Sequence, residues 1–258
     1  VYNKKETLYI QLMSYFRVEN LSLIIDKKKL LDNISFSIEK GSICLIAGKN
    51  GSGKSLLLKC LKGLEKPENG SRILIDGKEM KKAKERMLKL SLVFQDTSLE
   101  IVGSTVEKDI AFGPENLGLE RKEIDKKVEQ MLNLFEMEKI RNSQPEILSG
   151  GERRKLCIAG VIAMDPDVLL LDEPFANLDY PSTLTVIKTL IKLKEKGITI
   201  VIVSHEAEKF LFHTDHVIIL KDGKIVYDGT SRESLKDLRK HDIYIPKNAR
   251  FEDLTWLE

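Results

Sequence analysis

Eight residues, Gly48-Lys49-Asn50-Gly51-Ser52-Gly53-Lys54-Ser55, set three glycines, two lysines and two hydroxyls between an apolar run and a helix-like pattern. They fit G-x-x-x-x-G-K-[ST], a spacing whose chemistry is polyphosphate binding. Glycines let successive backbone N–H groups turn inward around phosphate oxygens. The helix that follows adds its positive N-terminal end. In such a loop Lys54 reaches the β- and γ-phosphates and Ser55 holds magnesium, with Leu56 completing the nucleotide-binding stretch. A glycine-rich turn between core elements is the plain alternative, and the strand-to-helix context argues against it.

Two further stretches could do chemistry. In "VLLLDEP" four apolar residues read as a buried strand, and Asp172 at its C-terminal end falls where open α/β sheets bind ligands. Asp172 is expected to assist magnesium, directly or through water. Glu173, one residue on, points differently and is placed to polarise an attacking water as general base. In "ILSGGERRKLCIAGVIA" Ser149 is a good helix N-cap, and Gly150 and Gly151 leave N–H groups uncovered at the helix start. Two glycines cost a helix ~1 kcal/mol each. The spacing therefore predicts a second anion site, one that serves a nucleotide held by another subunit.

The elements that must position these residues follow from periodicity. Alternation over 15–25 and 33–41 predicts antiparallel strands. A buried strand is expected at 42–48, a helix at 54–64, and short strands at 72–77 and 90–95. From about 100 to 148, apolar residues at three- and four-residue spacing predict a mostly helical insert. Strand and helix then alternate again: helix 150–163, strand 167–174, helix 181–194, strand 198–206. A hairpin over 216–229 turns at Asp222-Gly223. The pattern predicts one nucleotide-binding α/β domain over 13–229 with a β-rich edge and a helical subdomain, about 97–163, inserted in it. Residues 230–258 read as a C-terminal extension able to cover a partner. Residues 1–12, ahead of Met13, read as an upstream extension outside the fold.

The chain has 258 residues, enough for a sizeable core. Lys and Arg number 42 against 40 Asp and Glu, and a net charge of +2 gives no argument for nucleic acid or anionic lipid. Lysine runs at 27–29 and 81–84 read as solvated surface. No apolar run approaches the roughly 18 residues of a membrane span, so any membrane is supplied by a partner. Cys44, Cys60 and Cys157 lie in apolar segments, as buried thiols of a reducing compartment would.

Leu148-Ser149-Gly150-Gly151-Glu152, standing between a phosphate loop and Asp172-Glu173, resembles the signature of the ATP-binding cassette family, and the order of motifs agrees over residues 17–229. The resemblance implies the fold class: α/β, a P-loop NTPase core with an antiparallel β-subdomain and an inserted helical subdomain. It implies ATP and magnesium as ligands and ATP hydrolysis as the activity. Gln95 matches the Q-loop glutamine, which shares the metal and links nucleotide to a transmembrane partner. Ala176-Asn177-Leu178-Asp179 matches the D-loop that crosses a dimer interface, and His205 matches the histidine on the γ-phosphate. The signature is expected to contact the partner subunit's ATP. Two positions depart from the pattern. Ile25 stands where the family stacks adenine on an aromatic ring, and Ala176 replaces a frequent serine.

"VEKDIAFGPENLGL" (106–119) is similar to the segment after the Q-loop in ATPases of the energy-coupling factor importers of vitamins and metal ions. That similarity implies a second ATPase subunit, identical or paralogous, beneath a transmembrane coupling protein and a substrate-binding membrane subunit, at the cytoplasmic face of the membrane. Another importer or exporter ATPase is the alternative within the family. Chromosome-maintenance relatives would need a long heptad insert, and translation factors usually carry two cassettes. Between Gln95 and Leu119, the residues Leu99, Ile101, Val102, Val106, Ile110, Ala111, Phe112 and Leu117 are expected to divide between the core of the insert and a groove for a partner's helix.

The aliphatic residue at position 25 gives up a stack worth ~1 kcal/mol. Ile25→Tyr should therefore tighten ATP binding a few fold in a titration. Unchanged or weaker binding would assign the adenine platform to another residue.

Overall fold

The computed structural model describes residues 14–97 and 100–257. Residues 1–12 and Leu99, for which expectations are given above, lie outside the described residues.

The β-rich edge is a four-stranded antiparallel sheet of order β2-β1-β4-β5. β1 (Ser14–Ile25) pairs with β2 (Lys28–Glu39) through Phe16↔Ile38 and Val18↔Phe36, and with β4 (Arg72–Ile75) through Phe16↔Ile75. β2 starts at Lys28 and not at 33. Asp26 and Lys27 both take left-handed backbone, φ 49° and 63°, the geometry of a two-residue hairpin turn that matches strand twist. Asp-Lys is a poor signal for that turn, so the sequence places the strand start too late. β5 (Lys78–Glu79) and the short helix α2 (Ala83–Lys89) are also absent from the sequence pattern, being too short to show a period. Lys81, Lys82 and Lys84 there are exposed, as expected.

The nucleotide-binding half is a six-stranded sheet of order β10-β9-β3-β8-β7-β6. β3 (Ile43–Ala47), β6 (Leu90–Val93), β7 (Val168–Asp172), β8 (Thr199–Ser204) and β9 (His216–Lys221) run parallel, and β10 (Lys224–Thr230) closes the edge antiparallel. Every residue of β3, β7 and β8 is buried. Successive side chains go to opposite faces, so each strand serves two cores. Leu45, Leu169, Leu171, Ile200 and Ile202 pack on the helical side. Cys44, Ile46, Leu170, Val201 and Val203 pack against the antiparallel sheet and α1 (Lys54–Lys62). This is the expected α/β architecture. Cys44, Cys60 and Cys157 are buried free thiols.

The helical insert comprises α3 (Val106–Asn116) and α4 (Arg121–Phe135), and α5 (Gly150–Ile162) joins it to the core. Ile124, Val128, Met131, Leu132 and Phe135 give α4 one buried stripe, the i, i+3, i+4 pattern of an amphipathic helix. α6 (Tyr180–Glu195) follows β7. Leu238 of α7 (Leu235–Lys240) and, beyond the helix, Ile243, Ile245 and Leu254 enter the main core, so the C-terminal segment packs on its own chain. Among the described residues no helix is long and apolar enough to cross a membrane.

The β9–β10 turn braces the phosphate loop. The Gly223 N–H donates to Ser52 O at 3.0 Å, and its carbonyl accepts from Asp32 N at 2.8 Å. Gly223 has φ +72°, and a Cβ there would lie 2.3 Å from Leu30 O. Gly223→Ala should lower stability by about 1 kcal/mol or more, read as a urea midpoint, and weaken ATP binding through the displaced Ser52 carbonyl.

Candidate active site

Strand register assembles the site. Ala47 pairs with Ser204, and Asp172 pairs with Val203, so three parallel strands end together at one edge. The phosphate loop leaves β3 there. Gly51 and Gly53 take φ +82° and +103°, and the space beside Gly51 where a side chain would sit is open. A Cβ on Gly48 would lie 2.4 Å from Leu220 O, so only glycine lets the loop leave the strand this closely.

Lys54, nearly buried, donates from Nζ to Gly48 O at 2.7 Å and to Lys49 O at 3.2 Å, and stands 3.8 Å from Glu173 Oε1. Burial lowers its pKa, and the Glu173 and Asp172 carboxylates oppose that shift. Ser55 Oγ donates to Asp172 Oδ1 at 3.1 Å. Burial raises the Asp172 pKa, with the Ser55 bond pulling the other way. A hydroxyl and a carboxylate so close are the hard oxygen pair that suits magnesium, which takes few protein ligands and completes its shell with water and phosphate. The Ser52 hydroxyl is buried with no partner, an orphaned donor on the inner side of an anion loop.

Glu173 is held from three directions. Its Oε1 lies 2.9 Å from His205 Nδ1, and its Oε2 accepts from Ser204 Oγ at 3.0 Å and from His205 N at 3.3 Å. Its own backbone is left-handed, φ 46°, a costly conformation for a glutamate. The structure thus gathers Lys54, Ser55, Asp172, Glu173 and His205. Gln95 is exposed beyond β6, and no hydrogen bond joins it to Ser55, Asp172 or Glu173 among the described residues. Ile25 ends β1 and packs, partly buried, on the second core.

Ser149 is exposed and caps α5: its Oγ accepts from Glu152 N at 3.2 Å and donates to Glu152 Oε2 at 2.8 Å, while Ser149 N donates to the same carboxylate oxygen at 2.8 Å. These bonds hold the Glu152 pKa down. The glycines have a simpler cause than the sequence suggests. A Cβ on Gly151 would meet Ser182 Cβ at 2.7 Å, and one on Gly150 would meet Leu178 at 3.2 Å. Close approach of α5 to α6 requires Gly151 whatever binds there, so the glycine pair by itself does not point to an anion. Leu148 is buried, and the D-loop runs alongside: Asn177 is left-handed at φ 59°, Ala176 N donates to Glu173 O, and Asp179 caps α6 by accepting from Ser182 N at 2.9 Å.

Three groups at the site escaped the sequence. Ser204 bonds Glu173 only because of strand register. Arg154, 2% exposed, donates to Phe94 O at 2.5 Å and Gln95 O at 2.7 Å, tying the signature helix to the Q-loop. Its spacing with Ile158 and Ile162 places it on the buried face of α5, a signal that was available. Glu100 Oε1 accepts from Phe94 N at 2.6 Å, and burial pushes its pKa up to about 7.

Known proteins resemble this chain in sequence and in fold. The family model described as ABC transporter matches residues 31–176. The energy-coupling factor transporter ATP-binding protein EcfA of Methanocaldococcus jannaschii is 37% identical over 236 residues, covering 89% of this chain and 84% of that protein. EcfA1 of Clostridioides difficile is 40% identical over 232 residues, covering 86% and 83%. The solved structure of cbiO1 from Clostridium perfringens, part of the ABC transporter complex cbiONQ, superposes with a TM-score of 0.80 at 31% identity, covering 91% of this chain and 97% of that one. With more than half its length matched by the family model and relatives above 30% identity along most of it, the chain belongs to the ABC transporter family as an ATP-binding, ATP-hydrolysing protein.

Proposed function

We propose that the chain powers solute uptake through an importer of the energy-coupling factor type, for vitamins or transition-metal ions. It would act at the cytoplasmic face of the membrane beside a transmembrane coupling protein and a substrate-binding membrane subunit. The names of its relatives and the "AFGPENLGL" stretch support that branch.

In the proposed mechanism ATP phosphates replace the Gly48 and Lys49 carbonyls as acceptors for Lys54, giving a charged and therefore stronger partner. Residues 48–56 cradle the phosphates. Ser55 and Asp172 would hold magnesium, with Gln95 reaching them only if its loop moves inward, and the ion would supply neutralisation of phosphate charge. Glu173 accepts the proton of the attacking water, and His205 orients that carboxylate and meets the γ-phosphate. The exposed Ser149, with the partly exposed Gly150 and Glu152 and with Gly151 buried behind them, would complete the nucleotide site of a second ATPase subunit, with Ala176–Asp179 beside it.

The observation that carries coupling to a membrane partner is a groove of about 780 Å³ along α3, lined among others by Val102, Lys108, Phe112, Glu115 and Arg121. Val106, Ile110 and Ala111 pack inside the insert, whereas Val102 and Phe112 are 57% and 48% exposed and Leu117 is exposed too. Val102, Ala111, Phe112 and Val128 set among charged and hydroxyl side chains suit a short amphipathic helix. Gln95 lies a short way upstream of Val102 in the sequence, so movement of Gln95 toward the nucleotide would reach the groove.

Glu173→Gln should retain ATP binding yet cut hydrolysis by roughly 10²–10⁴-fold. Near-normal turnover when both ATPase subunits carry it would remove Glu173 from the mechanism. Val102→Glu should leave the fold intact while releasing the membrane partner, or uncoupling transport from hydrolysis. Cysteines placed at 102 and 112 should crosslink to a transmembrane protein. Consistent crosslinks to DNA-binding or ribosomal proteins would overturn the transport assignment.

A further inference from the structure

The C-terminal tail touches two loops of the nucleotide site at once. Tyr180 directly follows D-loop Asp179. Its ring lies 5.3 Å from that of Trp256, and its hydroxyl donates to the Trp256 carbonyl at 3.2 Å. The same indole holds Lys209: Nζ stands 4.6 Å from the ring centroid, and Trp256 N donates to Lys209 O at 3.2 Å. Lys209 is itself buried and pairs with Glu206, the residue after His205. The tail is anchored where it arrives. Leu254 is 1% exposed, its carbonyl accepts from Phe212 N at 2.9 Å, and Thr255 Oγ1 lies 2.6 Å from His213 Nε2.

These contacts bracket Glu173. On one side the chain runs from Glu173 through the D-loop to Tyr180, with Ala176 N bonded to Glu173 O at 3.1 Å. On the other side His205 holds the Glu173 carboxylate. Phe251 also packs on Phe212, 5.5 Å between ring centroids, but among the described residues of the tail Trp256 is the ring that contacts both Tyr180, the first residue of α6, and Lys209 in the turn behind His205. We propose that Trp256 is a positioning residue that locks the D-loop to the His205 turn and so sets the placement of Glu173 for hydrolysis. The inference rests on the catalytic placement of Glu173 proposed above and on no feature of the transporter branch.

The role predicts a split in kinetics. The bonds and ring contacts of Trp256 are to Tyr180 and Lys209 and not to residues 48–56 or Asp172, so nucleotide affinity should hold while the chemical step suffers. In the ATPase assembled with its partner chains, Trp256→Ala should lower kcat by roughly ten- to a hundredfold, the scale of a misplacement of about 1 Å. KM for ATP should stay within about twofold, and Trp256→Phe, which keeps a ring between Tyr180 and Lys209, should recover most of kcat. If Trp256→Ala fails to fold, Tyr180→Leu removes the stack from the other, half-exposed side and should show the same loss in kcat alone. Unchanged kcat, a loss carried by KM, or a phenylalanine variant as poor as the alanine one would overturn the proposal. Turnover that ignores Glu173→Gln would instead sink the catalytic placement beneath it.

Discussion

The site depends on parallel pairing of β3, β8 and β7 in one register. That pairing brings Ala47, Ser204 and Asp172 to a common edge, so the phosphate loop, the Ser204-His205 turn and the Asp172-Glu173 pair meet without any long connection. Side chains alternate along a strand, so a slip of one residue would send Asp172 into the opposite core and break the Ser55 bond. Burial on both faces makes such a slip expensive, because each strand has an apolar partner set above and below. Polar chemistry at the sheet edge is thus held in place by hydrophobic matching well inside it.

The parts legible in the sequence are those whose physics is local. Glycine spacing, a lysine and a hydroxyl at a strand-to-helix junction announce the phosphate loop, and continuous apolar runs announce strands buried on both faces. The β1–β2 turn at Asp26-Lys27 was not legible, since its left-handed residues are held by strand pairing and not by a glycine. Ser204's bond to Glu173 joins residues far apart in the chain, and Arg154's bonds to the Q-loop cross from one element to another. Such bonds follow from tertiary register, which no single stretch encodes.

Gly151 teaches a related lesson. Read alone, an N-cap followed by glycines looks like an anion site. In the structure the missing Cβ is what lets α5 rest against Ser182, one turn into α6. The signature helix and the D-loop helix are consequently one packed unit, and whatever either meets at a subunit interface is felt by the other. Arg154 extends that unit to Phe94 and Gln95. Three motifs that are separate in the chain therefore share a small number of close contacts.

The three cysteines carry a consequence of a different kind. All are buried, and desolvation drives each thiol upward, Cys60 to about 12 and Cys44 and Cys157 well above the usual thiol value. A thiol that scarcely ionises is a poor nucleophile toward alkylating reagents. Burial and suppressed ionisation should make the three native thiols slow toward maleimides in the folded chain, so one cysteine introduced on an exposed surface would react ahead of them and serve as a handle for a spectroscopic label.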